Sequence, residues 1–127
     1  MDRSARESSK RDAMIDTIIG IISATRLPLH NEKILQEAIE ELFVKNNVSF
    51  SREYRLDKFN IPDFFIDGIA VEIKIKGAKR SIYKQCERYA QFEDIKQVLL
   101  VTNVSMGFPP EINGKPCYVI NLGKSWL

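Results

Sequence analysis

Asp67-Gly68 separates two runs of alternating apolar and polar residues, Pro62–Ile66 and Ile69–Lys76. It constrains the chain more than any other dipeptide in it. Asp-Gly in that setting predicts a two-residue type I′ hairpin turn, whose central residues both need positive φ. A turn of that length sets the register: Ile66 faces Ile69, Phe64 faces Val71, and Asp63 faces Glu72. Side chains alternate along a strand. Phe64, Ile66, Ile69, Val71, Ile73 and Ile75 then share one face and supply core, while Asp63, Glu72, Lys74 and Lys76 share the other. Carboxylates directly opposite each other have Cβ atoms roughly 5 Å apart and repel, so a compensating positive group is expected.

Two arrangements supply one. Lys74, two residues along on the same face, pairs with both acids as a simple salt-bridge cluster. Alternatively, a divalent cation lies between Asp63 and Glu72 with Lys74 beside it. Carboxylate oxygens completed by water suit Mg²⁺ or Mn²⁺ rather than zinc. Such an ion lowers the pKa of a bound water and neutralises a phosphoryl group. The ammonium of Lys74 then orients the water or stabilises the charge that develops. Metal, acids and ammonium together would hydrolyse a phosphodiester.

The rest of the chain supports an α/β domain. Met14, Ile15, Ile18, Ile19 and Ile22 recur at helical spacing and predict an amphipathic helix ending near Leu27-Pro28. A second helix is expected over Asn31–Lys45, with Asn31 as N-cap and Leu35, Ala38, Ile39, Leu42 and Phe43 as its buried stripe. Val48–Tyr54 alternates as a strand, 79–92 reads as a helix, Gln97–Thr102 as a buried strand and Cys117–Leu122 as a last strand. The stretch from Gly107 to Gly114, with Pro109-Pro110 and Asn113-Gly114, reads as a loop. After the first helix the order is α-β-β-β-α-β-β. With 127 residues, 44% of them hydrophobic, the chain has enough apolar surface for one core and is neither disordered nor collagen-like.

Pro62-Asp63, eight residues, then Glu72-Ile73-Lys74 resembles the signature of the PD-(D/E)xK nuclease superfamily, which includes restriction endonucleases, Holliday junction resolvases, and lambda-exonuclease and RecB-type nucleases. The resemblance implies a restriction-endonuclease-like αβββαβ core, a mixed central sheet flanked by helices. Residues 31–127 would form it, with 1–30 as an N-terminal helical extension of the same single domain. It implies a Mg²⁺- or Mn²⁺-dependent DNA phosphodiesterase in which Asp63, Glu72 and the Ile73 carbonyl hold the metal and Lys74 assists the attacking water. Gln85-x-x-x-Tyr89 matches a motif of RecB-like members, and by that resemblance both residues contact the DNA backbone near the scissile phosphate. The bland alternative packs Tyr89 in the core with Ile82 and Cys86. The family usually adds an acid or glutamine from the first core helix. Here Gln36 and Glu32, one turn apart, are the candidates, with Glu37 and Glu40 further round.

Charge is concentrated beside that site. Lys74, Lys76, Lys79, Arg80, Lys84 and Arg88 face a single acid, Glu87, within one stretch of a chain whose net charge is only +2. Phosphate contacts by such residues give affinity without sequence information, so DNA is the expected partner, with RNA left open. Small stand-alone members of the family act as dimers on branched DNA, whereas RecB-like members trim ends inside larger DNA-processing complexes. A catalytically silent nuclease-fold module that binds DNA or protein is the alternative. Two cysteines and one histidine, His30, cannot build a four-thiolate zinc or iron–sulfur site. They also leave no histidine-activated nucleophile. Cys86 and Cys117 are expected as small buried side chains, and Trp126 as a cover on the sheet or an interface. The longest apolar run, Met14–Ser23, contains Asp16 and is too short to span a bilayer. A cytoplasmic protein without a membrane partner is expected.

Overall fold

A computed structural model describes residues 3–124; Trp126 lies outside them. The protein is α/β, with a mixed six-stranded sheet and three α-helices. The elements are α1 (Arg3–Ser23), α2 (Glu32–Lys45), β1 (Ser51–Arg52), β2 (Phe64–Ile66), β3 (Ile69–Lys74), α3 (Lys79–Tyr89), β4 (Gln97–Thr102), β5 (Glu111–Ile112) and β6 (Lys115–Asn121), with a 3₁₀ turn over Leu122–Lys124. The sheet order is β1-β2-β3-β4-β6-β5. β1, β2 and β3 pair antiparallel, β3, β4 and β6 run parallel, and β5 is antiparallel to β6. None of the helices among the described residues is long and apolar enough to cross a membrane.

The central strands are buried on both faces, as parallel strands covered by helices must be. Every residue of β4 is buried. Along β3 the period of two divides the core: Ile69, Val71 and Ile73 join Phe64, Ile66, Leu99 and Val101 under α1 and α2. Ala70 joins Val98, Leu100 and Cys117 under Ile82, Cys86 and Tyr89 of α3. Glu72, two residues on from Ala70, therefore lies on the α3 face. α1 is part of the first cluster through Ile15, Ile18 and Ile22. Asp12 of the same helix accepts a hydrogen bond from Gln97 of β4 at 2.9 Å. Phe43, Phe50 and Phe64 meet edge to face or tilted, with centroids 5.1–5.7 Å apart.

The hairpin register is the expected one, Phe64 opposite Val71 and Ile66 opposite Ile69. Asp67 and Gly68 both have positive φ, 46° and 89°. A Cβ on Gly68 would lie 3.0 Å from the Lys96 side chain, which would have to shift slightly, but it is the positive φ that favours glycine there.

Several boundaries differ from the sequence expectation, each for a local reason. β2 begins at Phe64 rather than Pro62, because Pro62 has no N–H to continue the ladder. β3 stops at Lys74, two residues early: the Ile75 N–H donates to the Glu32 carboxylate instead of to a strand. Only Ser51–Arg52 of the 48–54 run pairs as strand. Val48 donates to the Phe43 carbonyl at the end of α2, and Glu53 sits at φ 49°. The Val48/Phe50 alternation thus reports packing against a helix end. α1 starts some eleven residues before the predicted helix, its exposed first turns carrying an Arg3–Glu7 pair. α3 ends at Tyr89, where Gln91 and Phe92 switch to three-residue turns. The segment from 107 to 114 is not all loop. Asn113-Gly114, with φ 54° and 74°, turns a second hairpin between β5 and β6.

Candidate active site

The site forms where the sheet forks. Counting on from the observed register, Pro62 lies opposite Ile73. Proline offers the Ile73 carbonyl no donor, and the Pro62 carbonyl accepts from Tyr54. The Asp63 side chain takes the vacated position: its Oδ2 accepts the Ile73 N–H at 2.8 Å, and its Oδ1 accepts from Gln36 Nε2 at 3.2 Å. β2 and β3 separate there, and the N-terminal part of α2 closes the opening. Asn31 caps that helix, its Oδ1 accepting the Ile34 N–H at 3.0 Å. Glu32 and Gln36 are thereby held on one face.

On β3, Glu72 is 3% exposed. One oxygen accepts from the Tyr89 hydroxyl at 2.9 Å, and the other pairs with Lys74 Nζ at 3.3 Å. Burial first, and Asp63 second, push the Glu72 carboxyl up to about 8. Burial likewise raises Asp63 to about 6, against the pull of the Ile73 N–H and Lys74. Burial draws Lys74 down, but Glu72, Glu32 and Asp63 outweigh it and hold the ammonium above its ordinary value. The main chain of Lys74 is pinned as well: its carbonyl accepts from the buried Thr102 hydroxyl at 2.7 Å and from the Asn103 N–H at 3.1 Å.

The residues singled out from sequence distribute as follows. Asp63, Glu72, Lys74, Gln36 and Glu32 converge at the fork. Tyr89 does not meet a substrate surface as the resemblance implied, whereas Gln85 is only half-buried. Tyr89 is fully buried, and Gln85 Nε2 donates to its hydroxyl at 2.9 Å. The two form a relay, Gln85 to Tyr89 to Glu72, that orients the carboxylate from below. The core position among Ile82 and Cys86 also holds for Tyr89. Lys76, Lys79, Arg80, Lys84 and Arg88 are all exposed, at the end of β3 and along α3. Arg88 Nε also donates to Asn60 Oδ1 at 3.1 Å. Cys86 and Cys117 are free, buried thiols.

Glu40 is not turned away from the site. Glu32, Gln36 and Glu40 follow one another at four-residue intervals and line a single groove with Glu37, Lys74 and Lys76, about 1030 Å³ in volume. Sequence reasoning also missed Arg52. Its guanidinium donates to Gln36 Oε1 at 3.1 Å and to Glu40, and lies over the Phe64 ring at 4.7 Å. This fixes the Gln36 amide with its nitrogen toward Asp63. The signal was present as one arginine in an alternating run, directly before the hairpin that carries the acids.

Among the described residues no group of three or more His, Cys, Asp and Glu side chains gathers to ligate a metal. The acids at the fork are two carboxylates, Asp63 and Glu72, beside the Ile73 main chain. A hard cation that keeps several waters is held by as few as one or two carboxylates. Two buried acids that both hold protons too tightly are chemically matched to it, because one divalent charge replaces those protons. Comparison with known protein families, with curated proteins and with solved structures finds no match to this chain.

Proposed function

We propose that this protein is a metal-dependent DNA phosphodiesterase of the PD-(D/E)xK type, with a restriction-endonuclease-like αβββαβ core running from α2 to β4. The supporting observation is the forced proximity of Asp63 and Glu72 at the mouth of the sheet, both raised above the ordinary carboxylate range, with Lys74 on Glu72. Asp63, Glu72 and the Ile73 carbonyl would hold Mg²⁺ or Mn²⁺. When bound, that ion supplies a water acidic enough to attack phosphorus and positive charge against the phosphoryl oxygens. Lys74 orients the attacking water and steadies negative charge in the transition state. Gln36, itself held by Arg52, keeps Asp63 turned toward Glu72; Tyr89 and Gln85 do the same for Glu72. Lys76, Lys79, Arg80, Lys84 and Arg88 attract the phosphate backbone without reading sequence.

The test is a cleavage panel of supercoiled plasmid, linear duplex, single strand and four-way junction, with Mg²⁺ or Mn²⁺ and with EDTA. Cutting that disappears in EDTA and falls at least about 100-fold in Lys74→Met, with circular dichroism unchanged, is the expected result. Undiminished cutting by Asp63→Asn, Glu72→Gln and Lys74→Met would sink the proposal. A catalytically silent binding module is the second reading, favoured by one observation: Lys74 already neutralises Glu72 at 3.3 Å. Metal-independent DNA binding with no cutting of any substrate selects that reading.

A further inference from the structure

The connection from β1 to β2 is built more tightly than an ordinary surface loop. Asp57 Oδ1 accepts from the Phe59 and Asn60 N–H groups at 2.8 Å each and from Asn60 Nδ2 at 3.0 Å. Leu56 donates back to the Asn60 carbonyl at 2.9 Å. Asn60 is buried, and Arg88 of α3 clamps its side-chain oxygen. This scaffold holds Phe59 at its tip, 81% exposed, the most exposed of the large apolar side chains described. Covering that ring would remove its apolar surface from water at a gain of about 25 cal/mol per Å².

One cation lies over the ring, and others are exposed on the same loop and on α3. Lys58 Nζ lies 5.9 Å from its centroid. Arg55 and Lys58 are exposed on the loop, and Lys84 and Arg88 on the helix that clamps it. An aromatic face among cations is the chemistry of single-strand nucleic-acid binding, where bases stack on rings and phosphates meet the charges. Asp63 follows Phe59 by four residues, which places the two Cα atoms within about 14 Å. That upper bound corresponds to at most about four nucleotides at the stacked spacing of roughly 3.4 Å per step.

We propose that Phe59 is a stacking post for an unpaired nucleobase of the strand whose backbone passes Asp63 and Glu72. The proposal rests on the phosphodiesterase reading for the path of that strand. A base inside a duplex is already stacked and must be extruded to reach the ring. The post therefore favours single strands, frayed ends and branch points over continuous duplex.

The experiment is fluorescence anisotropy on the full chain in EDTA, with three labelled probes: a mixed-sequence single strand, an abasic strand of equal length, and a blunt duplex. The base-bearing strand is expected to bind roughly 5- to 150-fold more tightly than the abasic one, the value of one stacked base. Phe59→Ala removes that ratio while keeping the affinity for the abasic strand, and Phe59→Trp restores it. A ratio unchanged in Phe59→Ala overturns the proposal. So does the absence of binding to any strand. Run beside the cleavage panel, the two ideas separate. Lys74-dependent cutting with a Phe59-insensitive ratio removes the stacking post and leaves the phosphodiesterase. A Phe59-dependent ratio without cutting does the reverse.

Discussion

Replacing Glu72 by glutamine tests the electrostatics of the fork without reference to any activity. The native carboxyl is raised from 4.5 to about 8, by burial and then by Asp63. The folded state thus binds this proton more tightly than the unfolded chain does. Its contribution is fully present below about pH 4.5 and is lost as pH rises through about 8. At about 1.4 kcal/mol per pKa unit, the ionised side chain withholds on the order of 5 kcal/mol from the metal-free fold. Glutamine is neutral at every pH and keeps an oxygen for the Tyr89 hydroxyl. It gives up the pairing with Lys74, but that pairing is already contained in the value of about 8 and subtracts nothing further. The variant should therefore be several kcal/mol, up to about 5, more stable than the parent at pH 9, and within about 1 kcal/mol of it at pH 5. Urea denaturation in EDTA across that range measures the difference. A variant less stable at pH 9, or a difference that does not grow with pH, would refute the reasoning.

Three further outcomes follow from the same geometry. Mg²⁺ at about 100 times its Kd should stabilise the parent by about 2.7 kcal/mol, with a larger rise in Tm at pH 8 than at pH 6 because protons compete for Asp63 and Glu72; an equal rise in Asp63→Asn would show binding elsewhere. Tyr89→Phe strips one hydrogen bond from Glu72 and one acceptor from Gln85, and should cost about 1–3 kcal/mol in urea; a neutral result would deny the relay from α3. Phe43→Ala removes the ring that Phe50 and Phe64 both pack against and should cost about 3–5 kcal/mol, a loss under 1 kcal/mol meaning that this cluster is looser than its contacts indicate.

The hairpin was legible because two independent signals agreed: a turn dipeptide that fixes φ and an alternation that fixes the faces. Together they gave the register and put Asp63, Glu72 and Lys74 at one end of one pair of strands. β4 was equally plain, since four consecutive apolar residues, 98–101, in a six-residue run have few other uses. The second hairpin carried the same kind of signal, Asn113-Gly114, but its first strand has only two residues and no alternation to read. The α2 side of the site was harder. Spacing put Glu32, Gln36 and Glu40 one turn apart, yet which of them reaches the acids depends on the roll of the helix, and that is set by how Leu35, Ile39 and Phe43 pack on the sheet. Arg52 and Tyr89 act through partners far away in sequence. No local pattern announces a guanidinium that turns an amide or a phenol that holds a carboxylate from beneath.

The two ends of β2 stand under different constraints. Asp63 is placed by counting back from Gly68, so a single deletion between Pro62 and Asp67 would exchange the two faces of the strand, burying the acid in the apolar layer and expelling Phe64. Upstream of Pro62 the ladder has already ended, and residues added or removed there alter no pairing between β2 and β3. Residues 55–61 can therefore change in length and content while the register of Asp63 against Glu72 stays fixed. A lineage could vary what approaches the site, through Phe59 and its neighbours, without disturbing what the site itself holds.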